Sequence, residues 1–235
     1  LNIQVTTDSQ SELAERNLVG TAESNNVTST SVTSTIAPYP DLQIANLTIT
    51  PGSGVQSGNT ITVGWQVQNN GNGSTSGSFY DRISIMNTTT GQTLVTANVY
   101  YDASLTGNGS ILAGQSRNRQ YAYTLPNGSA GAGNIQVILT TDYFGNIFEY
   151  NATGDAETNN SANTNFISVV APYPDLQVSG LAISPSSGVQ SGTTIDVSWN
   201  VANTGTTAAG SSFYDRVLIL NTATGVTLRN AVVYY

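Results

Sequence analysis

The feature that most constrains this chain is an internal repeat with a period of 134 residues. The segment Ala-Pro-Tyr-Pro-Asp-Leu-Gln begins at Ala37 and returns at Ala171, and residues 37–101 match residues 171–235 at 39 of 65 positions without a gap. A unit of this length is large enough to fold around a core of its own. The sequence therefore predicts the C-terminal part of one repeat (residues 1–36), a complete repeat (37–170) and the N-terminal part of a third (171–235).

The complete repeat has the patterning of β-strands along its whole length. Between residues 60 and 68, Ile61, Val63, Trp65 and Val67 alternate with polar or small residues, as in a strand with one buried face. Further extended segments, separated by Gly, Pro and Asn, are predicted at 41–50, 80–87, 92–101, 119–125, 134–142 and 163–170. Short alternating strands and a buried tryptophan, Trp65 with its counterpart Trp199, predict an all-β, immunoglobulin-like β-sandwich in tandem repeats.

The junction between repeats is predicted at residues 37–41. Pro38 and Pro40 fix their own φ angles and restrict the residues before them. We therefore expect a short, semi-rigid connector, and an array joined in this way is stiff and extended.

Composition excludes several classes of function. The net charge is −8, and the chain contains no His, Cys or Lys. A basic surface for nucleic acid is therefore absent, an anionic membrane repels the chain, and no apolar run is long enough for membrane insertion. Without His, Cys or Lys there is no Ser-His-Asp triad, Schiff base or ordinary zinc site, so the sequence predicts a protein that is not an enzyme.

One cluster of acidic and amide residues near the end of the repeat predicts a calcium site. Its candidate ligands are Asp142, Asn146, Glu149, Asp155 and Glu157. Their oxygens are the hard ligands that calcium takes. The interpretation that the sequence favours over calcium is that the Asp and Asn residues form turns and caps, and that Glu149 and Glu157 pair with Arg or with backbone N–H groups. Calcium is the only cofactor that the sequence suggests.

The pair Asp81-Arg82 recurs as Asp215-Arg216. Neighbours on a strand point to opposite faces, so the two side chains have separate roles. Asp81 shares its face with Ile83 and is expected to accept hydrogen bonds from buried backbone donors. Arg82 is expected to form a cross-strand ion pair.

A series of short motifs resembles the CARDB domain, a cell-adhesion-related domain of bacterial and archaeal surface proteins. The motifs are Pro40-Asp41-Leu42, the strand Tyr80–Ile85, Leu112 with Gly114-Gln115-Ser116, Leu125-Pro126-Asn127-Gly128, and a closing set of Asp142, Asn146, Ile147, Glu149, Glu157, Asn159 and Asn160. The resemblance covers the whole unit. It implies a β-sandwich that is repeated in large surface and secreted proteins and has no activity of its own.

The repeat and the resemblance together predict a structural or adhesive stalk or filament of an extracellular surface protein. Its partners are expected to be neighbouring repeats and other copies of itself, which the partial repeats at 1–36 and 171–235 would join by strand complementation. The alternative for these partial repeats, which the sequence favours over complementation, is that the chain is one stretch of a longer array. The alternative function is an accessory module that binds glycans, such as a polysaccharide, through exposed tyrosines.

Overall fold

The computed structural model describes residues 1–235, which form thirteen β-strands and two short 3-10 helices. The complete repeat contains β3 (Leu42–Thr50), β4 (Thr60–Asn69), β5 (Phe79–Asn87), β6 (Gln92–Tyr101), β7 (Ser116–Thr124), β8 (Gly133–Thr140) and β9 (Ser161–Ser168). The residues before it form β1 (Asn2–Thr6) and β2 (Val27–Ser31), and those after it form β10 (Leu176–Ser184), β11 (Asp196–Asn203), β12 (Tyr214–Leu220) and β13 (Thr227–Tyr234). The 3-10 helices are Ala22–Ser24 and Gly128–Gly131.

The complete repeat is a sandwich of two antiparallel sheets. One has the strand order β3-β4-β7 and the other the order β6-β5-β8-β9. The fourth strand of the repeat, β6, turns back beside β5 as a hairpin. The predicted all-β sandwich is confirmed, and each of the seven predicted segments overlaps a strand.

The core lies between the two sheets and follows from period-two alternation. Every second residue of β4, from Ile61 to Val67, is 0–2 % exposed. On the opposite sheet Ile83, Ile85 and Val137 are fully buried. Complete burial of such side chains stabilises the fold by about 1.5–3 kcal/mol each. Trp65 lies in the middle of this core and is 2 % exposed.

The partial repeats form strand pairs without the remaining strands of a sandwich. The pairs are β1-β2, β10-β11 and β12-β13. Between β10-β11 and β12-β13 there is an open apolar cleft of about 520 Å³. Val178 and Leu181, which line it, are 66 % and 70 % exposed. The structure contains no helix that is both long and apolar enough to cross a membrane.

Candidate functional site

The acidic residues of the predicted calcium site lie in the long loop between β8 and β9. Asp142 stands at its start with a φ of 42°. Its carboxylate accepts hydrogen bonds from the N–H groups of Asn146 at 2.9 Å and Ile147 at 2.8 Å. Such bonds from residues further along the chain close a turn. Asp142 therefore holds the loop against the sheet, and burial raises its pKa to about 6.

Glu149 joins this loop to the first strand of the repeat. One of its carboxylate oxygens accepts the N–H of Leu42, and the other accepts the Asn160 side-chain amide at 3.0 Å. The Glu149 N–H donates in turn to Glu157 Oε1 at 2.7 Å. Glu149 is 3 % exposed, and burial raises its pKa to about 8. A buried carboxyl without a cationic partner keeps its proton more readily than one in water.

Asp155 and Asp41 are joined by one asparagine. Asn151 Nδ2 donates to Asp155 Oδ1 at 2.9 Å and to Asp41 Oδ2 at 3.1 Å. The Thr153 hydroxyl also donates to Asp155 and lowers its pKa. Asp41 accepts a further hydrogen bond from Asn159 Nδ2 at 2.9 Å. Sequence reasoning placed Asp41 only in the connector, since nothing local shows that it meets a loop more than a hundred residues later.

The structure thus brings the five predicted calcium ligands into one loop, where each carboxylate accepts hydrogen bonds from the protein itself. No group of three or more Asp, Glu, His or Cys side chains is arranged so that it could hold a metal ion. The calcium site at Asp142, Asn146, Glu149, Asp155 and Glu157 stays a prediction.

The same hydrogen bonds recur in the partial repeat at the start of the chain. Asp8, the counterpart of Asp142, accepts the N–H groups of Glu12 and Leu13 at 2.7 and 3.0 Å. The N–H of Glu15 donates to Glu23 Oε1 at 2.7 Å, as Glu149 donates to Glu157. The arrangement forms here without a complete sandwich around it. The acids therefore act first as a local scaffold for the loop.

A second cluster lies in the core around Asp81, which is fully buried. Its carboxylate accepts hydrogen bonds from Trp65 Nε1 at 3.1 Å, Arg119 Nε at 2.9 Å and Thr141 Oγ1 at 2.7 Å. Burial raises the pKa of Asp81, while the Arg119 guanidinium and the three donors act in the opposite direction. The expectation of backbone donors was wrong, because the three donors are side chains: Trp65 and Arg119 come from the opposite sheet, and Thr141 comes from the loop after β8.

Arg82 does not form the expected ion pair. Its Nε donates to Asn98 Oδ1 at 2.9 Å, and its guanidinium carbon lies 3.5 Å from the centroid of the Tyr143 ring. The cross-strand partner of Arg82 is thus the side-chain amide of Asn98. The positive charge of Arg82 makes a cation–π contact with the Tyr143 ring instead of an ion pair. The only ion pair in the structure is Arg119–Asp81, and Arg119 was not singled out from the sequence because its partner lies on the other sheet.

Exposed rings surround Arg82 on the outer face of the four-stranded sheet. We call Tyr80, Tyr100, Tyr143 and Phe144 the aromatic cluster; they are 36 %, 49 %, 43 % and 52 % exposed. The Tyr80 and Tyr100 centroids are 4.7 Å apart with their planes tilted by 36°. Tyr80 and Phe144 meet edge to face at 5.7 Å. The cluster offers ring faces to solvent at several angles rather than one flat platform.

The connector at residues 37–41 contacts the loop that follows β4 in the complete repeat. Asn69 is fully buried, and its side-chain oxygen accepts the N–H groups of Asp41 and Gly71 at 3.1 and 3.0 Å. A Cβ at Gly71 would lie 2.3 Å from the Tyr39 carbonyl oxygen, so only glycine fits. Of the two prolines predicted to stiffen the connector, Pro40 is buried and Pro38 is exposed.

Comparison with known sequences agrees with this architecture. Residues 39–164 match the sequence profile of the CARDB family. No curated protein matches the chain.

Solved structures of low identity also match. The crystal structure of the CARDB domain of a Pyrococcus furiosus protein, in complex with di-metal ions, is 18 % identical; the match covers 58 % of this chain and all of that one, with a TM-score of 0.38. The solution structure of the same domain is 17 % identical over 57 % of this chain and all of that one, with a TM-score of 0.37. An alkylpurine DNA glycosylase from Pseudomonas fluorescens, bound to DNA with an abasic-site analogue, is 13 % identical over 55 % of this chain and 31 % of that one, with a TM-score of 0.35.

Proposed function

Because the chain belongs to the CARDB family, whose domains are non-catalytic β domains, we propose that its repeats are adhesion-related structural units of a stalk on an extracellular surface. The observation that carries this proposal is the connector. The repeat has a period of 134 residues, and each connector is bonded to the repeat that follows it rather than hanging free. Asp41 and Asp175 donate their N–H groups to Asn69 and Asn203 at 3.1 and 3.0 Å.

A chain that duplicates a sandwich and fixes its connectors gains length and stiffness. The chain contains no His, Cys or Lys, so the groups that most enzymes use for nucleophilic or proton-transfer chemistry are missing. The low content of charged side chains, 9 % of residues, suits a surface fibre that avoids strong ionic contacts.

Small-angle scattering of the chain tests the stalk. A stiff array gives an elongated pair-distance distribution that does not change with concentration. A compact or strongly flexible profile would contradict the proposal. Antibodies raised against the complete repeat should also label intact cells of the source without permeabilisation, and labelling only after permeabilisation would contradict an outer-surface location.

The second candidate is a glycan-binding module, and the aromatic cluster is the observation that favours it. Rings with 36–52 % exposure offer faces on which sugar rings stack. The Tyr80/Tyr100 pair recurs as Tyr214/Tyr234 with a centroid distance of 5.0 Å, so an array would present the same pair along its length. Binding on a glycan array that Tyr100→Ala and Tyr234→Ala together abolish would favour this function. Binding that survives both substitutions would not.

Calcium in the β8-β9 loop and self-assembly by strand complementation are the two remaining parts of the proposal. Bound calcium would raise the melting temperature, and EDTA would lower it again; an unchanged melting temperature would remove the site. For complementation, β1-β2 of one copy would have to cover the open apolar cleft of about 520 Å³ in another. Neither partial repeat contains a counterpart of β7, which would leave one sheet without its third strand. A monomer at all concentrations in sedimentation analysis would contradict it.

A further inference from the structure

Tyr173 lies in the connector that leaves the complete repeat, between Pro172 and Pro174. Its phenol oxygen accepts a hydrogen bond from the Gly128 N–H at 3.1 Å and lies 2.9 Å from Ser57 Oγ. The hydroxyl also has acceptors within reach, Asn127 Oδ1 at 3.2 Å and the Ser57 carbonyl oxygen at 3.4 Å. A phenol both donates and accepts, and here each capacity has a partner in the repeat that precedes the connector.

The partners of this hydroxyl form a built pocket. Ser57 is 2 % exposed, and its Oγ also accepts the N–H of Ala171 at 3.0 Å. Gly58 has a φ of +81°, and a Cβ there would lie 2.5 Å from Asn127 Oδ1. The Gly58 N–H is bonded to the Pro126 carbonyl at 3.1 Å, which holds the two sides of the pocket together.

The backbone of the same tyrosine belongs to the following repeat. Its carbonyl oxygen accepts the N–H of Thr206 at 2.9 Å, and its N–H donates to Thr206 Oγ1 at 3.3 Å. A Cβ at Gly205 would lie 2.4 Å from the Tyr173 oxygen, so the two backbones are in close contact. Tyr173 is therefore fixed to one repeat by its main chain and to the other by its side chain.

We propose that the pocket of Ser57, Gly58, Asn127 and Gly128 is a docking site for the connector tyrosine of the next repeat, and that this contact sets the angle between neighbouring repeats. The occupant is a defined part of the same array, the tyrosine of Ala-Pro-Tyr-Pro. The biological role of this docking site rests on the proposed stalk. The contact itself does not, because it lies within this chain.

The loop that forms half of the pocket recurs one period later. Ser191 and Gly192 match Ser57 and Gly58, and Gly192 has a φ of +90°. The turn around them is also closed in the same way, with the Gln190 N–H donating to Thr193 Oγ1 at 3.2 Å, as Gln56 donates to Asn59 Oδ1 at 2.9 Å. The following repeat thus contains the same loop as the one that forms half of the pocket.

Tyr39, the matching tyrosine of the first connector, is an internal control. Its N–H is bonded to Asn72 Oδ1 at 2.9 Å, so its backbone is fixed as that of Tyr173 is. Its ring packs against Phe148 of its own repeat, with centroids 5.2 Å apart. Residues 1–36 contain no counterpart of Ser57 or Gly128, so the Tyr39 hydroxyl has no pocket to enter in this chain.

The test measures the distance between two repeats in the 235-residue chain. Because the chain has no cysteine, Thr93→Cys and Thr227→Cys place one spin label at the same exposed position of each repeat. We expect a narrow distance distribution that Tyr173→Phe and Ser57→Ala each broaden and that Tyr39→Phe leaves unchanged. The Gly128 amide should exchange its hydrogen about two- to tenfold faster in Tyr173→Phe, as expected for one lost hydrogen bond.

An unchanged distribution in Tyr173→Phe, or one that is already broad in the parent chain, overturns the docking site. The melting of the chain, followed by far-UV circular dichroism, should stay the same in Tyr173→Phe, which separates a change of angle from loss of the fold. A compact scattering profile combined with a distribution that broadens in Tyr173→Phe would overturn the stalk and leave the docking site in place. An elongated scattering profile combined with an unchanged distribution would overturn the docking site alone.

Discussion

The complete repeat and the partial repeat after it share 39 of 65 aligned residues, yet only one of them has a closed core. Both form the hairpin of the third and fourth strands, β5-β6 in one and β12-β13 in the other. Both also bond the tryptophan to the aspartate 16 residues later, Trp65 to Asp81 and Trp199 to Asp215. The local structure is therefore encoded by the first half of the repeat alone.

Burial is what differs between the two regions. Trp65 is 2 % exposed, while Trp199 is only half-buried. In the complete repeat β7 pairs with β4 and β8 pairs with β5, and the partial repeat has no counterpart of either strand. Hydrophobic stabilisation follows the area removed from water, so the complete repeat should account for nearly all of the stability of this chain.

Removing the tryptophan from each region should give the largest contrast. We expect Trp65→Ala to lower the free energy of unfolding by about 3–5 kcal/mol, since it leaves a cavity in a closed core. Trp199→Ala should change it by less than about 1 kcal/mol, because that ring is only half-buried. Urea unfolding followed by circular dichroism measures both. Equal losses would show that the partial repeat unfolds together with the complete one.

The aspartates that accept a hydrogen bond from these tryptophans should give the next largest difference in the free energy of unfolding. Asp81→Asn leaves the Arg119 guanidinium, 11 % exposed, without its counter-charge, and breaking a buried pair in this way costs about 3 kcal/mol. Asp215 bonds to Trp199 at 2.7 Å but has no arginine partner. Asp215→Asn is thus the matched control and should be close to neutral in the same unfolding experiment. A neutral Asp81→Asn would mean that the buried pair contributes no net stability.

The same comparison explains what could be predicted from the sequence. The strands and the buried face of β4 follow from alternation among neighbours, such as Ile61 and Val63, and needed no knowledge of pairing. The Arg119–Asp81 bond joins residues 38 positions apart, and the Asn159–Asp41 bond joins residues 118 apart. Only the packing of the two sheets and the path of the β8-β9 loop bring these groups together. The roles of Arg119 and Asp41 therefore left no local signal.

The loop between β8 and β9 should make stability depend on pH. Burial raises the pKa of Glu149 to about 8 from an ordinary value of 4.5, so between these values the folded chain keeps a proton that the unfolded chain releases. The free energy of unfolding should accordingly fall as pH rises from about 5 to about 8, by roughly 2–3 kcal/mol. Asp142, whose pKa is raised to about 6, acts in the same direction at lower pH.

Melting temperatures at pH 5, 6.5 and 8 measure this dependence. Glu149→Gln should flatten it, because the amide carries no proton to lose. Glu15→Gln is the matched control, since the chain contains no counterpart of Leu42 beside Glu15, and the slope should persist in that variant. A melting temperature that rises from pH 5 to pH 8 in the parent chain would contradict the buried, protonated carboxyl.

The smallest difference in the free energy of unfolding should come from the two arginines on the outer face of the β5-β6 and β12-β13 hairpins. Arg82 lies 3.5 Å from the Tyr143 ring centroid and 5.4 Å from that of Phe144, whereas the chain has no counterpart of these rings beside Arg216. Both arginines donate to an asparagine on the paired strand at 2.9 Å, so the hydrogen bond is common to the two sites. We expect Arg82→Gln to cost about 0.5–1 kcal/mol and Arg216→Gln to be neutral in urea unfolding. Equal effects would mean that the aromatic faces add nothing to the shared hydrogen bond.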